Sequence, residues 1–134
     1  MSIDYFCDDF QSIKVDTEVF CIFDQAYKYS TMTLSEFSEI FEHIKSNTLL
    51  IDKILEQSLR CDNNDVALFI IKGSGEYMLI SALEFCIMNN KLKFFKRCAK
   101  EFQLKTCMSK ESFTHLYYLT IENNNTKFLS ILFS

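Results

Sequence analysis

A seven-residue phrase recurs in this chain and constrains its fold more than any other feature. Asn89-Asn90-Lys91-Leu92-Lys93-Phe94-Phe95 returns 34 residues later as Asn123-Asn124-Asn125-Thr126-Lys127-Phe128-Leu129, and each copy follows an apolar run. A third copy, Asn63-Asn64-Asp65-Val66-Ala67-Leu68-Phe69, lies 26 residues upstream of the first. A period of about 33 residues, with a helix on each side of a short polar turn, is typical of repeat proteins built from helix pairs. Each unit buries its apolar face against the next, so the chain is expected to fold as a row of stacked pairs.

The chain is predicted to be all-α. It has no proline and two glycines, Gly73 and Gly75, and so few helix breakers favour helix throughout. Thr33-Leu34-Ser35-Glu36 reads as a capping box that opens a helix. Residues 1–15 are predicted to form an irregular cap, and 103–111 a connecting loop. Helices are predicted over 17–29, 34–44, 49–60, 66–71, 77–88, 92–102, from Ser112 or Thr114 to 122, and over 126–133.

The 134 residues are enough for one domain with its own core. We expect residues 1–47 to form an N-terminal cap with a degenerate first helix pair, and residues 48–134 to form three further pairs. No stretch reaches 18 uncharged apolar residues, and the start of the chain lacks the basic and apolar regions of a secretory signal. The sequence therefore predicts a cytoplasmic protein that does not interact with a membrane.

The six cysteines are predicted to be free thiols. Cys21, Cys86 and Cys98 fall inside apolar periodic runs, where a free cysteine behaves as a small hydrophobic residue in a reducing compartment. A zinc site of Cys98, Cys107 and His115 would have wide spacing and lack a fourth ligand. No local signature of a nucleophilic triad or a phosphate-binding loop is present. We therefore expect no enzyme activity, no cofactor and no metal.

Two surface features are candidates for contact with a partner. The basic stripe, defined as Lys93, Lys96, Arg97 and Lys100, recurs at helical spacing opposite Phe94, Phe95 and Cys98. It would suit an acidic protein surface, or it is simply the solvated face of an amphipathic helix. The net charge of −4 argues against nucleic acid as the partner. The apolar C-terminal run, with Phe128, Leu132 and Phe133 as its candidate contacts, is the second feature. Either the last helix is buried against its own pair with only one edge bare, or the bare edge is an interface that forms a homodimer or binds a partner; we expect the second.

The repeated units resemble the ankyrin repeat family. Asn89-Asn90 and Asn123-Asn124 stand where that family has the turn between its two helices, and Cys86 and Thr120 stand at its small position. Phe94-Phe95 and Phe128-Leu129 occupy its aliphatic slots, and Ser81-Ala82-Leu83-Glu84 stands for its opening tetrapeptide. The family's proline is absent, and Tyr117-Tyr118 replaces its leucine and histidine in the last copy. The resemblance covers residues 50–134 well and 17–47 loosely, as in divergent viral or protist members.

The resemblance implies a short ankyrin-like solenoid that binds another protein through its turn tips and first-helix faces. If the source is a virus, it implies an adaptor or immune-modulating role in the host cytoplasm. The asparagine-rich, proline-free composition is compatible with a large DNA virus or a protist. Two alternatives remain open at this point. One is a helical bundle of the apoptosis-regulator type, which would bind an amphipathic partner helix in a groove. The other is an enzyme whose site is assembled only in three dimensions.

Overall fold

The computed structural model describes residues 22–133, apart from the side chain of residue 105. These residues form helices and contain no strand, which confirms the all-α prediction. The predicted cap at 1–15 and the predicted helical residues 17–21 lie outside the described part. The helices are α1 (22–30), α2 (Leu34–Ile44), α3 (Thr48–Arg60), α4 (Asn64–Ser74), α5 (Glu76–Met88), α6 (Leu92–Phe102), α7 (Leu104–Cys107), α8 (Lys110–Glu122) and α9 (Thr126–Leu132).

The helices pack as consecutive pairs that lie against one another in chain order. Helices α3 and α4, α5 and α6, and α8 and α9 contact each other within a pair. The first helices of successive pairs also pack together, α3 on α5 and α5 on α8, as do second helices α2 with α4 and α6 with α9. The extensive contacts of the described helices therefore stay within a pair or between adjacent pairs. The pairs share one continuous apolar core.

The turns inside the three pairs have the same backbone geometry. Asp62, Asn90 and Asn124 each adopt a left-handed conformation, with φ of 61°, 57° and 56°. Asparagine and aspartate tolerate this region better than most residues. Matching these residues gives spacings of 28 and then 34 between pairs. The alignment of Asn63-Asn64 with Asn89-Asn90 is therefore wrong by two residues, because backbone geometry rather than side-chain identity fixes the register.

A small buried residue lies one helical turn before each left-handed residue. Ser58, Cys86 and Thr120 are all fully buried, and their carbonyl oxygens accept hydrogen bonds at 2.8, 2.8 and 3.0 Å from the amides that follow the left-handed residue. This bond closes the end of each first helix in the manner of a Schellman motif. The predicted small positions Cys86 and Thr120 are confirmed as small buried positions, and the structure adds Ser58.

The predicted capping box at the start of α2 is present. The backbone amide of Glu36 donates to the hydroxyl of Thr33 at 3.2 Å, and the amide of Thr33 donates to a carboxylate oxygen of Glu36 at 3.0 Å. The hydrogen bond from the Thr33 backbone, supported by the Thr33 hydroxyl, holds the pKa of Glu36 below its ordinary value. Both partners are exposed, so this local pattern forms without help from the core.

The connection before the last pair differs from its prediction. Residues 103–111 were expected to be a loop, but they contain the single helical turn α7 and the start of α8. The hydroxyl of Ser109 caps α8, so this helix begins at Lys110 and neither Ser112 nor Thr114 opens it. Ser81-Ala82-Leu83-Glu84 lies in the middle of α5 rather than at a helix start, so it is no opening tetrapeptide. The loop prediction for residues 103–111 was wrong because Leu104 and Met108 are buried by tertiary contacts, which local periodicity does not report.

Candidate functional site

The basic stripe lies on the outer face of α6. Phe94, Phe95 and Cys98 point into the core with at most 5% of their surface exposed, whereas all four cations of the stripe are exposed. The alternation follows directly from the 3.6-residue helical period. The structure therefore brings Lys93, Lys96, Arg97 and Lys100 together on one solvent-facing surface, as the sequence predicts.

Three of the four cations of the basic stripe form no ion pair with a described residue. Arg97 Nη2 lies 3.6 Å from Asp65 Oδ1 on the preceding pair, and the nearby Lys72 Nζ lies 3.6 Å from Glu101 Oε2. Within the described residues, Lys93, Lys96 and Lys100 form no ion pair. Exposed pairs of this kind contribute little to stability. Among the described residues, the charges of Lys93, Lys96 and Lys100 therefore form no ion pair that would help to hold the fold.

Lys127 adds a further cation on α9, the second helix of the next pair. Lys127 was not among the candidate site residues predicted from the sequence. Lys127 is the residue of α9 that corresponds to Lys93 of α6 at the spacing of 34, and it is exposed. Helices α6 and α9 pack side by side, so the two lysines occupy matching positions on adjacent helices. The repeated phrase contained this signal, because Lys93 and Lys127 stand at the same place in its two copies.

The layer of second helices is polarised along the chain. Helix α2, the second helix of the first pair, exposes Glu36, Glu39 and Glu42, whereas the exposed charged residues of α6 and α9 are cations apart from Glu101. The charge asymmetry of the sequence, acidic before residue 66 and basic after it, is therefore partly a property of one molecular surface. A polarised surface orients an approaching charged partner.

The three C-terminal candidates occupy different places. Phe128 and Leu132 are buried in the core, with 0% and 1% of their surface exposed, so they are not surface residues of this chain. Phe133 is 54% exposed, and its ring packs at 5.6 Å from Phe113 and 5.7 Å from Tyr117 between ring centroids. Of the three candidates only Phe133 is therefore exposed, and it packs with these two rings.

The apolar surface around Phe133 corresponds to positions that are covered in the preceding pair. The spacing of 34 matches Phe113, Tyr117 and Leu129 with Leu79, Leu83 and Phe95 of α5 and α6. These three counterparts have at most 3% of their surface exposed. In the last pair the corresponding side chains are only partly buried. The last pair thus presents apolar surface of the kind that an adjacent pair covers elsewhere in the molecule. We call Phe113, Tyr117, Leu129 and Phe133 the C-terminal face.

The thiols are placed for structure rather than for nucleophilic chemistry. Cys61, Cys86, Cys98 and Cys107 are free, and burial raises the pKa of Cys86 to about 12 and raises that of Cys98 even further. Burial, with the nearby carboxylate of Glu76, also raises the pKa of Cys107. The thiols of Cys86, Cys98 and Cys107 therefore remain protonated at neutral pH, whereas a nucleophilic cysteine needs a lowered pKa. The remaining two cysteines, Cys7 and Cys21, lie outside the described residues.

The residues considered for zinc do not form a ligand set. Cys98 is buried on α6, while His115 Nε2 lies 3.3 Å from Glu84 Oε1 on the neighbouring first helix. Among the described residues, no three His, Cys, Asp or Glu side chains are grouped as they would be around a metal ion. In the same part of the chain, no helix is long and apolar enough to cross a bilayer.

Comparison with known proteins adds no relative. No family model matches the chain, and neither the curated proteins nor the solved structures contain a significant match.

Proposed function

We propose that this chain is a protein-interaction module, built as a short ankyrin-like stack of helix pairs, whose basic stripe together with Lys127 contacts an acidic surface on a partner protein. The observation that carries this proposal is the absence of ion pairs at Lys93, Lys96 and Lys100 within the described residues, although neighbouring cations on the same surface are paired. An array of unpaired cations on a rigid helix favours rapid, oriented association with a negatively charged partner.

The packing pattern supports the stacked architecture over a bundle of the apoptosis-regulator type. A bundle of that kind has a central helix surrounded by most of the others. Here α5 packs extensively on α3, α4, α6 and α8, which belong to its own pair and to the two adjacent pairs. Helices α2 and α9 have no extensive contact with it. The recurring left-handed turns point in the same direction, because a bundle has no need for the same turn geometry inside each successive helix pair.

Affinity capture with two charge-matched variants tests the proposal. The first variant is Lys93→Glu/Lys96→Glu, which leaves the Arg97–Asp65 pair intact. The control is Lys28→Glu/Lys110→Glu, which makes the same change in net charge at exposed lysines elsewhere. We expect a partner captured by the native chain to be retained by the control and lost from the first variant. Added salt should weaken the native complex, since exposed charges are screened.

Two outcomes would contradict the proposal in different ways. A partner that binds both variants equally would remove the basic stripe from the interface. A native chain that captures no protein at low salt would argue against an interaction module altogether. Circular dichroism of both variants checks that the helices are retained, which we expect because every substituted side chain is exposed.

A second proposal concerns self-association through the C-terminal face. Phe113, Tyr117 and Leu129 are only partly buried, whereas their counterparts in the preceding pair are covered. Phe133 packs beside the first two. A second copy that turns the same face inward would cover this surface in a closed, two-fold symmetric dimer. A cytoplasmic location is proposed from the sequence alone, and an adaptor role in the host, for a viral source, is proposed from the ankyrin resemblance.

A further inference from the structure

Two helices of the second-helix layer, α2 and α6, carry opposite charges that the described fold does not pair. On α2, Glu36 and Glu39 are exposed and form no ion pair within residues 22–133. On α6, the same holds for Lys93, Lys96 and Lys100. The surface of one molecule therefore presents both an acidic helix and a basic helix.

Helix α4, which lies between these two helices in the layer, has its outer charges paired. Asp65 Oδ1 lies 3.6 Å from Arg97 Nη2, and Lys72 Nζ lies 3.6 Å from Glu101 Oε2. Both pairs join α4 to α6. The charges left without a partner are therefore confined to α2 on one side of α4 and to the outer face of α6 on the other.

The three helices run in the same direction. Lys72 and Glu101, which pair with each other, both lie near the ends of their helices α4 and α6. Gly73, also near the end of α4, lies beside the ring of Phe41 near the end of α2. Positions counted from the start of α2 and of α6 are therefore comparable heights on the same surface.

The opposite charges of α2 and α6 stand at matching heights. Each glutamate of α2 has a lysine of α6 within one residue of its own distance from the helix start: Glu36 with Lys93, Glu39 with Lys96, and Glu42 with Lys100. One residue is about 1.5 Å along a helix. Glu42 has an exposed partner, Lys45, on its own helix, and exposed pairs of this kind are weak. Two such helices laid side by side in the same direction would place each carboxylate opposite a cation.

A two-fold axis parallel to the helices provides this arrangement twice. Such an axis keeps the helix direction and reverses the order of the pairs, so α2 of each copy faces α6 of the other. Helix α4 then lies at the centre, where its own charges are already paired. A closed dimer of this kind uses the same surface on both copies and leaves neither charged helix unused.

From the unpaired charges, their matching heights and this symmetry, we infer that the acidic partner of the basic stripe is α2 of a second copy of this chain. The inference rests on the proposed interaction function and names the occupant of the stripe. It uses a surface distinct from the apolar C-terminal face. Because exposed charge pairs are weak and screened by salt, the contact is strongest at low ionic strength.

Sedimentation velocity with charge-reversed chains tests the inference. One variant is Lys96→Glu/Lys100→Glu, and the other is Glu39→Lys/Glu42→Lys, which leaves the capping box of α2 intact. Each variant alone places like charges in both contacts of its dimer, so its association should weaken about tenfold or more. An equal mixture of the two places opposite charges in both contacts, and it should associate as the native chain does.

Matched controls make the same changes in net charge at other exposed positions. They are Lys28→Glu/Lys110→Glu and Asp24→Lys/Glu122→Lys, and both should associate like the native chain. Circular dichroism checks that each variant keeps its helices, which we expect because every substituted side chain is exposed.

Salt separates this contact from self-association through the C-terminal face. The measurement is made at about 0.01 M ionic strength, where the screening length is about 30 Å, and at about 1 M, where it is about 3 Å. The part of the association that disappears at 1 M is the ionic contact, whereas an apolar contact persists there.

Three results would overturn the inference. They are a native chain without salt-sensitive association, a Glu39→Lys/Glu42→Lys variant that associates like the native chain, and a mixture that associates no better than its separate components. The second result, with association lost only in the lysine variant, would assign the acidic contact to another part of the chain. If the charge reversal fails but the basic stripe still captures an acidic protein, the second copy is excluded and the proposed function stands. If both experiments fail, the stripe is no interface.

Discussion

Single side chains join each unit to the one before it. Asn63 Nδ2 donates to the carbonyl oxygens of Ser30 and Met32 at 2.6 and 2.9 Å, and Asn125 Nδ2 donates to that of Ile87 at 2.8 Å. At the same position in the middle pair, Lys91 Nζ reaches Asp62 Oδ1 at 3.1 Å. The asparagines that make the repeat visible in the sequence thus also carry hydrogen bonds between pairs.

Asn63→Ala should lower the free energy of unfolding by about 1–3 kcal/mol, because two partly buried carbonyl groups lose their donor. Asn125→Ala should cost less, about 1 kcal/mol, since one carbonyl is affected. Asn123→Ala is the control, because the Asn123 amide bonds an exposed carbonyl within its own helix. Urea denaturation measures all three, and equal effects at positions 63 and 123 would contradict the role given to Asn63.

The buried thiols should make stability fall at alkaline pH. Burial raises the pKa of Cys86 from 9.0 to about 12, so below pH 9 both the folded and unfolded chains hold this proton. Between pH 9 and 12 the unfolded chain loses the proton and the folded chain keeps it, so unfolding becomes easier as the pH rises. We expect the denaturation midpoint of Cys86→Ala to fall less steeply between pH 8 and pH 10.5 than that of the native chain. The same slope in both proteins would contradict this role of Cys86.

The second helices of adjacent pairs pack on one another through large apolar side chains. The rings of Phe95 on α6 and Phe128 on α9 are both fully buried and meet edge to face with centroids 4.9 Å apart. On the other side of the molecule, Phe69 of α4 meets Phe37 and Phe41 of α2 at 5.8 and 5.1 Å in the same geometry. Edge-to-face aromatic pairs add to the free energy of burial itself.

Phe95→Ala and Phe128→Ala should each cost about 3–5 kcal/mol of stability, the usual range for a buried phenylalanine. The double variant should cost less than the sum of the two, because the removed rings contact each other. Phe133→Ala, at an exposed ring, should cost much less. Thermal or urea unfolding measures the series, and strict additivity of the two buried positions would contradict direct coupling of α6 to α9.

The whole molecule is polarised both in charge and in exposed apolar surface. Acidic side chains are exposed on α2, cations on α6 and α9, and the apolar C-terminal face follows at the end of the described chain. The two proposed interfaces, the basic stripe and the C-terminal face, therefore lie toward the same end of the stack. Substitutions in one of the two interfaces should abolish binding there without changing binding at the other.

Sedimentation velocity should show a concentration-dependent dimer for the native chain. Tyr117→Ser/Phe133→Ser should shift it to monomer by removing the centre of the C-terminal face. Tyr27→Ser/Tyr77→Ser, which removes two exposed tyrosines outside this face, should leave the dimer intact. A native chain that stays monomeric at all accessible concentrations would overturn self-association without affecting the basic stripe.

Local sequence determined most of the helices. The spacing of apolar residues predicted α6 as Leu92–Phe102 and placed α5 to within one residue of its start, and the capping box opened α2 as predicted. The amphipathic pattern also placed the basic stripe on the outer face of its helix. These features depend on residues within one or two helical turns of each other, so the sequence contains what is needed to predict them.

Tertiary structure decided which apolar residues are covered and how the units align. Phe128 and Phe133 look alike in the sequence, yet one is fully buried and the other half exposed, because an adjacent helix covers only the first. The two-residue shift in register and the turn α7 likewise depend on packing between pairs. Burial is a property of neighbours that are distant in the chain, and periodicity along a single helix cannot specify it.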